Sequence, residues 1–166
     1  MKKFELTAEF VTNVFGKTLF RIKALVAFGN VEKGELGGFI EKEDNLSHSG
    51  NAWVSGNAWV SGDARVSGNA LVSGDARVSG NALVSGDADY AVVTGFGHCF
   101  RATTFFRCKD KMLRVQCGCF YGDLAQFREI VKKTHGDSKY AKEYLAIADL
   151  MELHFSDEEK NQEADK

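Results

Sequence analysis

A chain of 166 residues with 44% hydrophobic residues, 27% charged residues and a formal charge of −2 is long enough for one domain or two small units. That balance excludes a disordered low-complexity tract, and the near-neutral charge gives no global reason to bind long nucleic acid or an anionic membrane. The start Met1-Lys2-Lys3-Phe4 lacks an apolar signal core and no apolar run is long enough to span a bilayer, so a cytoplasmic location is expected, with Cys99, Cys108, Cys117 and Cys119 as reduced thiols.

In chain order, residues 1–38 predict an N-terminal β cap. Phe4 to Val11 alternates in the manner of a half-buried strand, and Thr18 to Leu25 alternates again after the polar break from Asn13 to Lys17, which reads as a hairpin. Such a hairpin covers the open end of a repeat structure, where backbone groups and apolar residues are otherwise exposed. Gly34 and Gly37-Gly38 punctuate a turn-rich passage into Phe39-Ile40, where coiling is expected to begin.

Residues 39–97 carry the organising feature. From Asn51 to Asp87 the unit Asn/Asp-Ala-x-Val-Ser-Gly recurs six times without insertion, starting at Asn51, Asn57, Asp63, Asn69, Asp75 and Asn81, and a decaying seventh copy starts at Asp87. A period of six is too short for a helical repeat. Ala and Val stand two apart and point to one side of an extended chain, so they face inward while x faces outward. Ser-Gly-Asn/Asp forms the corner, because Gly accepts positive φ freely and Asn or Asp tolerates it. Three such sides close a coil of about eighteen residues, stacked at the ~4.8 Å spacing of neighbouring strands. Asn45 to Gly50 reads as an atypical first rung, with Leu46 in the alanine place and His48 in the valine place.

Residues 98–155 change character. Phe100 to Cys108 and Met112 to Phe120 flank Lys109-Asp110-Lys111 and predict a second hairpin. Asp123 is placed to N-cap a helix running to about Lys133, with Leu124, Phe127, Ile130 and Val131 on one face and Gly136 as its end. A second helix is expected from Asp137-Ser138 to about Phe155, with Tyr140, Tyr144, Ile147, Leu150 and Met151 at helical spacing. Residues 156–166 have nothing to bury and are expected to form a disordered acidic tail.

Rotated to start at valine, the unit reads Val-Ser-Gly-Asn/Asp-Ala-x and resembles the hexapeptide repeat of left-handed parallel β-helix proteins. The resemblance implies a mainly β fold: a short left-handed parallel β-helix with an N-terminal hairpin cap, a C-terminal hairpin and two helices. Leu19-Phe-Arg-Ile-Lys-Ala-Leu, Phe28-Gly-Asn-Val and Gly34-Glu-Leu-Gly-Gly-Phe-Ile-Glu leading into the repeats are similar to small hexapeptide-repeat proteins of bacteriophages and prophages. Arg114-Val-Gln-Cys-Gly-Cys-Phe, Thr134-His-Gly-Asp and Tyr140-Ala-Lys-Glu-Tyr-Leu resemble the tail on some of them. For a phage-encoded chain the location becomes the host cytoplasm.

Outward residues eighteen apart stack on one face, which groups Trp53 with Leu71, Trp59 with Arg77, and Arg65 with Leu83. Such faces predict a homo-oligomer, a trimer by resemblance, unless terminal elements fold back over them within one chain. The functional expectation is a non-catalytic binding module without cofactor, whose clefts hold a small anion such as a nucleotide of host defence on Trp53, Trp59, Arg65 and Arg77. Two alternatives remain: a hexapeptide-repeat acyltransferase with His48 or His98 as general base, and a scaffold whose helices dock on a host or phage protein. Flat solenoid faces can also bind ice, but here the outward positions vary. Cys117 and Cys119 read as residues of one strand face with no turn between them, which disfavours a zinc knuckle with Cys99 and Cys108. His135 and His154 read as surface positions on or near the helices.

Overall fold

The computed structural model of the protein describes residues 2–86, 89–97 and 102–156. The chain opens with β1 (Phe4–Thr12), β2 (Thr18–Ala24) and β3 (Leu36–Ile40), in which β1 pairs antiparallel with β2 and β2 with β3. The repeats then give six two-residue strands: β4 (Trp53–Val54), β5 (Trp59–Val60), β6 (Arg65–Val66), β7 (Leu71–Val72), β8 (Arg77–Val78) and β9 (Leu83–Val84). The first three pair in parallel with the last three, eighteen residues on, as Trp53 with Leu71, Trp59 with Arg77 and Arg65 with Leu83. The result is a three-faced β-solenoid. Its interior is the alanine and valine of every unit, all buried, and fully burying one valine contributes about 1.5–3 kcal/mol relative to leaving it exposed.

The first coil is longer than the rest. Phe39 pairs with Trp59 and Leu46 bridges to Val66, each twenty residues apart. The two extra residues therefore fall between Leu46 and β4. Leu46 thus takes the valine place, not the alanine place, and His48 is displaced into an enlarged corner closed by a Ser47–Ser49 hydroxyl contact of 3.0 Å. The six-residue frame had suggested the opposite assignment because Ser47 and Gly50 imitate the corner chemistry of the repeat.

The upper edge of this coil is closed face by face. Phe39 of β3 and Glu41 just after it donate backbone N–H groups to the Ala58 and Val60 carbonyls, and β1, β2, β3, β5 and β8 form one mixed sheet. On the second face, where no strand precedes β4, the Lys3 ammonium donates to the Ala52 carbonyl at 2.6 Å. On the third, the Asn45 amide donates to the Gly62 and Ala64 carbonyls at 3.1 and 2.8 Å. Side chains thus replace the missing rung, as unpaired buried carbonyls require. Gly37 and Gly38, read from sequence as turn residues, lie inside β3. A Cβ at Gly38 would sit 2.6 Å from the Ala58 carbonyl oxygen, so the absence of side chains lets β3 cross the coil corner.

The lower end is closed by a second sheet, in the order β10 (Tyr90–Val93), β11 (Thr103–Arg107), β12 (Leu113–Cys117) and β13 (Phe120–Asp123), all antiparallel. The expected hairpin is its centre, with one further strand on each side. Alternation along β11 sends Phe106 into the solenoid core and Phe105 toward the helices. Thr104 Oγ1 accepts the Arg77 backbone N–H at 2.8 Å, and the Tyr90 hydroxyl donates to the Leu71 carbonyl at 2.6 Å.

Helix α1 (Leu124–His135) begins with a reciprocal cap, the Asp123 carboxylate accepting from the Gln126 N–H and the Gln126 amide oxygen from the Asp123 N–H. Gly136 ends it at φ +57°. Helix α2 (Lys139–His154) is capped by Ser138. The two pack on each other and on the outer face of the second sheet through Phe127, Val131, Tyr144, Ile147 and Met151. Ala141 and Ala148 are buried while Leu150 is exposed, so α2 is rotated from the face its large residues suggested. Small residues let the helices approach closely.

Candidate functional site

Outward side chains of the mixed sheet form a column in register, Arg21 beside Phe39, Phe39 beside Trp59, and Trp59 beside Arg77. Two guanidinium groups cover two rings: Arg21 lies 4.3 Å from the Phe39 centroid and Arg77 4.0 Å from that of Trp59. Their electrostatic settings differ. Arg21 is neutralised by Glu9 at 2.7 Å. Arg77 meets no carboxylate in a salt bridge among the described residues; its Nη1 donates instead to the Asn57, Asp75 and Ala76 carbonyls at 2.8, 3.0 and 3.2 Å. Burial pulls its pKa down, but a guanidinium remains charged in proteins. The arrangement is a half-buried cation, held by backbone carbonyls, with the nearby Asp75 carboxylate favouring its charge without a salt bridge among the described residues.

A recess of about 190 Å³ opens over this pair. Asn13 and Val14, from the tip of the β1–β2 hairpin, form one wall, and Gln116 and Gly118 of the second sheet form another. The Gln116 amide oxygen is oriented by the Ser79 hydroxyl. Three separate parts of the chain therefore converge on Trp59 and Arg77. The recess lies below the 300–1,000 Å³ usual for enclosing a whole drug-sized ligand, so it accommodates one moiety, such as a phosphate.

The other two residues expected at the site lie elsewhere. Trp53 is only 2% exposed: Phe28 meets its ring edge-on at 5.3 Å, and Gly37 lies against its far end. Its Nε1 has no hydrogen-bond partner among the described residues. Trp53 is core, not a stacking surface, because the segment after β2 folds back over that face. Arg65 is exposed on the third face, in register with Leu83. Sequence periodicity placed the four residues on their faces correctly but carried no signal of which faces the flanks cover; Asn13 and Gln116, outside the repeat, were missed for the same reason, and Ser61 was read only as a corner residue.

His48 is engaged at both nitrogens. Its Nδ1 accepts the Lys3 backbone N–H at 3.0 Å, which places the ring proton on Nε2, and Nε2 contacts the Glu43 carboxylate at 2.8 Å. The ring stacks on Phe4 at 4.2 Å. No lone pair is left to remove a substrate proton in this arrangement. The hydrogen bond from His48, with a further contribution from Lys2, holds the Glu43 carboxyl below its ordinary pKa. His98 and Cys99 lie outside the described residues. Cys117 and Cys119 are separated by a hairpin turn at Gly118, φ +60°, in contrast to the single strand face read from sequence. Cys108 is buried, and burial pushes its thiol pKa up. Among the described residues no group of three or more His, Cys, Asp or Glu side chains is placed to hold a metal ion. His135 ends α1 and stacks on Tyr144, and His154 ends α2 beside Phe155.

Fold and repeat together define a β-solenoid repeat protein with a cation–π recess on one face. The family pattern described as the YdcK beta solenoid repeat matches residues 64–77 and 76–88, within the same coils. No curated protein matches the chain. Among the described residues no helix is long and apolar enough to cross a membrane.

Proposed function

We propose that the protein is a non-catalytic binding module, of the phage or prophage type its flanks resemble, that sequesters a small anionic ligand such as a nucleotide at Trp59 and Arg77. The observation that carries this reading is the half-buried Arg77 guanidinium, stacked on Trp59 and in no salt bridge among the described residues, at a recess that admits a phosphate-sized group. An anion there gains charge-assisted hydrogen bonds from a donor already fixed in place, so little entropy is lost on binding. In this reading the coil is left-handed, and three copies associate so that a neighbouring subunit covers the remainder of the ligand. Such a cover accounts for a recess smaller than a nucleotide.

Native mass spectrometry with a panel of cyclic and linear nucleotides and acyl-coenzyme A tests the proposal. Retention of a nucleotide with unchanged mass, at one ligand per chain, is expected. Turnover of the bound molecule, or selective retention of acyl-coenzyme A, would favour the acyltransferase alternative instead. A scaffold role is favoured by one observation: Leu150 and Leu153, three residues apart on α2, are 55% and 65% exposed. Capture of nucleotide independent of any protein partner would set that role apart from ligand binding.

A further inference from the structure

We infer that the cleft between α1, α2 and the β12–β13 hairpin is a second small-molecule site, suited to a planar aromatic ligand that carries an anionic group. The cleft has a volume of about 690 Å³, within the range that encloses a small organic molecule. Its wall is mostly ring faces and edges. Phe120 and Phe127 lie 5.9 Å apart and tilted by 48°, Phe127 meets Tyr144 edge-on at 5.8 Å, and His135 stacks on Tyr144 at 5.9 Å with Tyr140 beside it. Rings at these separations pack on one another, and a further ring gains offset or edge-to-face contact on the sides they turn to the cleft. An aliphatic chain gains area there but not that geometry.

The polar groups select the charge. Residues 129–143, which span the α1–α2 junction and supply six of the lining residues, contain Lys132, Lys133, Lys139 and Lys142 against Glu129, Asp137 and Glu143. All four lysines are exposed, and none forms a salt bridge among the described residues. The Glu143 carboxylate accepts the Gly97 N–H at 3.1 Å. A cleft with apolar walls and an excess of positive charge around it favours anions. The His135 imidazole, on the cleft wall, is the nearest side chain with ring N–H capacity toward such a ligand.

This site is distinct from the Trp59–Arg77 recess, although the two lie on opposite faces of one strand: Gln116 of β12 faces the recess and Cys117, the next residue, faces the cleft. The inference does not rest on the proposed function. Calorimetric titration of the full chain with indole-3-carboxylate as probe tests it. Saturable binding is expected, weakened about tenfold or more by Ile130→Trp, which fills the cleft from its partly exposed rim, and unchanged by Arg77→Ala. Thr134→Trp, at an exposed position on the same wall, is the second blocking variant should Ile130→Trp fail to fold. The neutral analogue 3-methylindole should bind at least about fivefold more weakly, since it keeps the ring contacts and loses the charge. Absence of saturable binding at millimolar probe, or binding unaffected by both blocking variants, overturns the site; equal affinity for the neutral analogue overturns its anion preference.

Discussion

Lys3 is 3% exposed and donates to a backbone carbonyl while its ammonium lies 4.5 Å from the Phe28 ring centroid, with no carboxylate partner among the described residues. Burial lowers its pKa from 10.5 to about 8. Below pH 8 the folded and unfolded chains both hold the proton, and the folded state bears the full cost of the buried charge. Between about pH 8 and 10.5 the folded chain releases the proton while the unfolded chain keeps it, so this residue's contribution to stability rises with pH through that window. Denaturant unfolding of wild type and Lys3→Met across pH 7–10.5 should therefore show the difference moving in favour of wild type above about pH 8. A difference flat with pH would place Lys3 in water. In the coil interior Val72→Asp should abolish cooperative unfolding, because a carboxylate among alanine and valine rungs has no partner; a soluble variant with unchanged melting temperature would remove Val72 from the core. Val72 was legible from the two-residue spacing of its unit. Lys3 was not, since its role depends on a missing rung that only the assembled coil defines.

Elements differ in how much of them the sequence determines locally. The α1 boundaries follow from Asp123 and Gly136, whose capping chemistry acts within one turn, and the six coil strands follow from a strict period. The first coil breaks that period by two residues, and the corner at Ser47–Ser49 hides the break behind residues typical of a regular corner. The coil corners give a direct test of stacking. Gly68 and Gly74 hold nearly the same left-handed backbone, φ +62° and +64°, but a Cβ at Gly68 would lie 2.5 Å from the Ser85 carbonyl oxygen, whereas one at Gly74 would meet nothing within 4 Å. Both alanine variants incur about 1–2 kcal/mol for the backbone conformation. Gly68→Ala must also displace the next coil, so its loss in thermal or denaturant unfolding should be at least about twice that of Gly74→Ala. Equal losses would contradict the spacing between these coils.

Across the whole molecule, a short solenoid with two open ends is made stable by what closes them. The hairpin, Lys3 and Asn45 close one end; Phe106 and Thr104 of the second sheet close the other. Phe106→Ala should cost about 3–5 kcal/mol, the range for deleting a buried aromatic ring, and should expose the core of the last coil to dye binding. The same closures decide the binding surface, covering Trp53 and leaving Trp59 and Arg77 at a recess bordered by the hairpin tip. The period of the repeat carried the pairing of Trp59 with Arg77, but the walls around them come from segments more than forty residues away in sequence on one side and nearly forty on the other. The threefold association proposed above is read by light scattering coupled to gel filtration, where a mass of three chains is expected and a monomer at micromolar concentration would contradict it.

Calorimetric titration of a nucleotide retained in the native mass spectra, with wild type and Arg77→Ala side by side and the ligand recovered afterwards, tests the central claim most directly. The account predicts saturable binding, intact ligand, and a loss of about 1.5–3 kcal/mol in Arg77→Ala, the scale of a hydrogen bond to a charged group, with oligomeric state unchanged. Equal affinity in Arg77→Ala, or recovery of a chemically altered ligand, would contradict it.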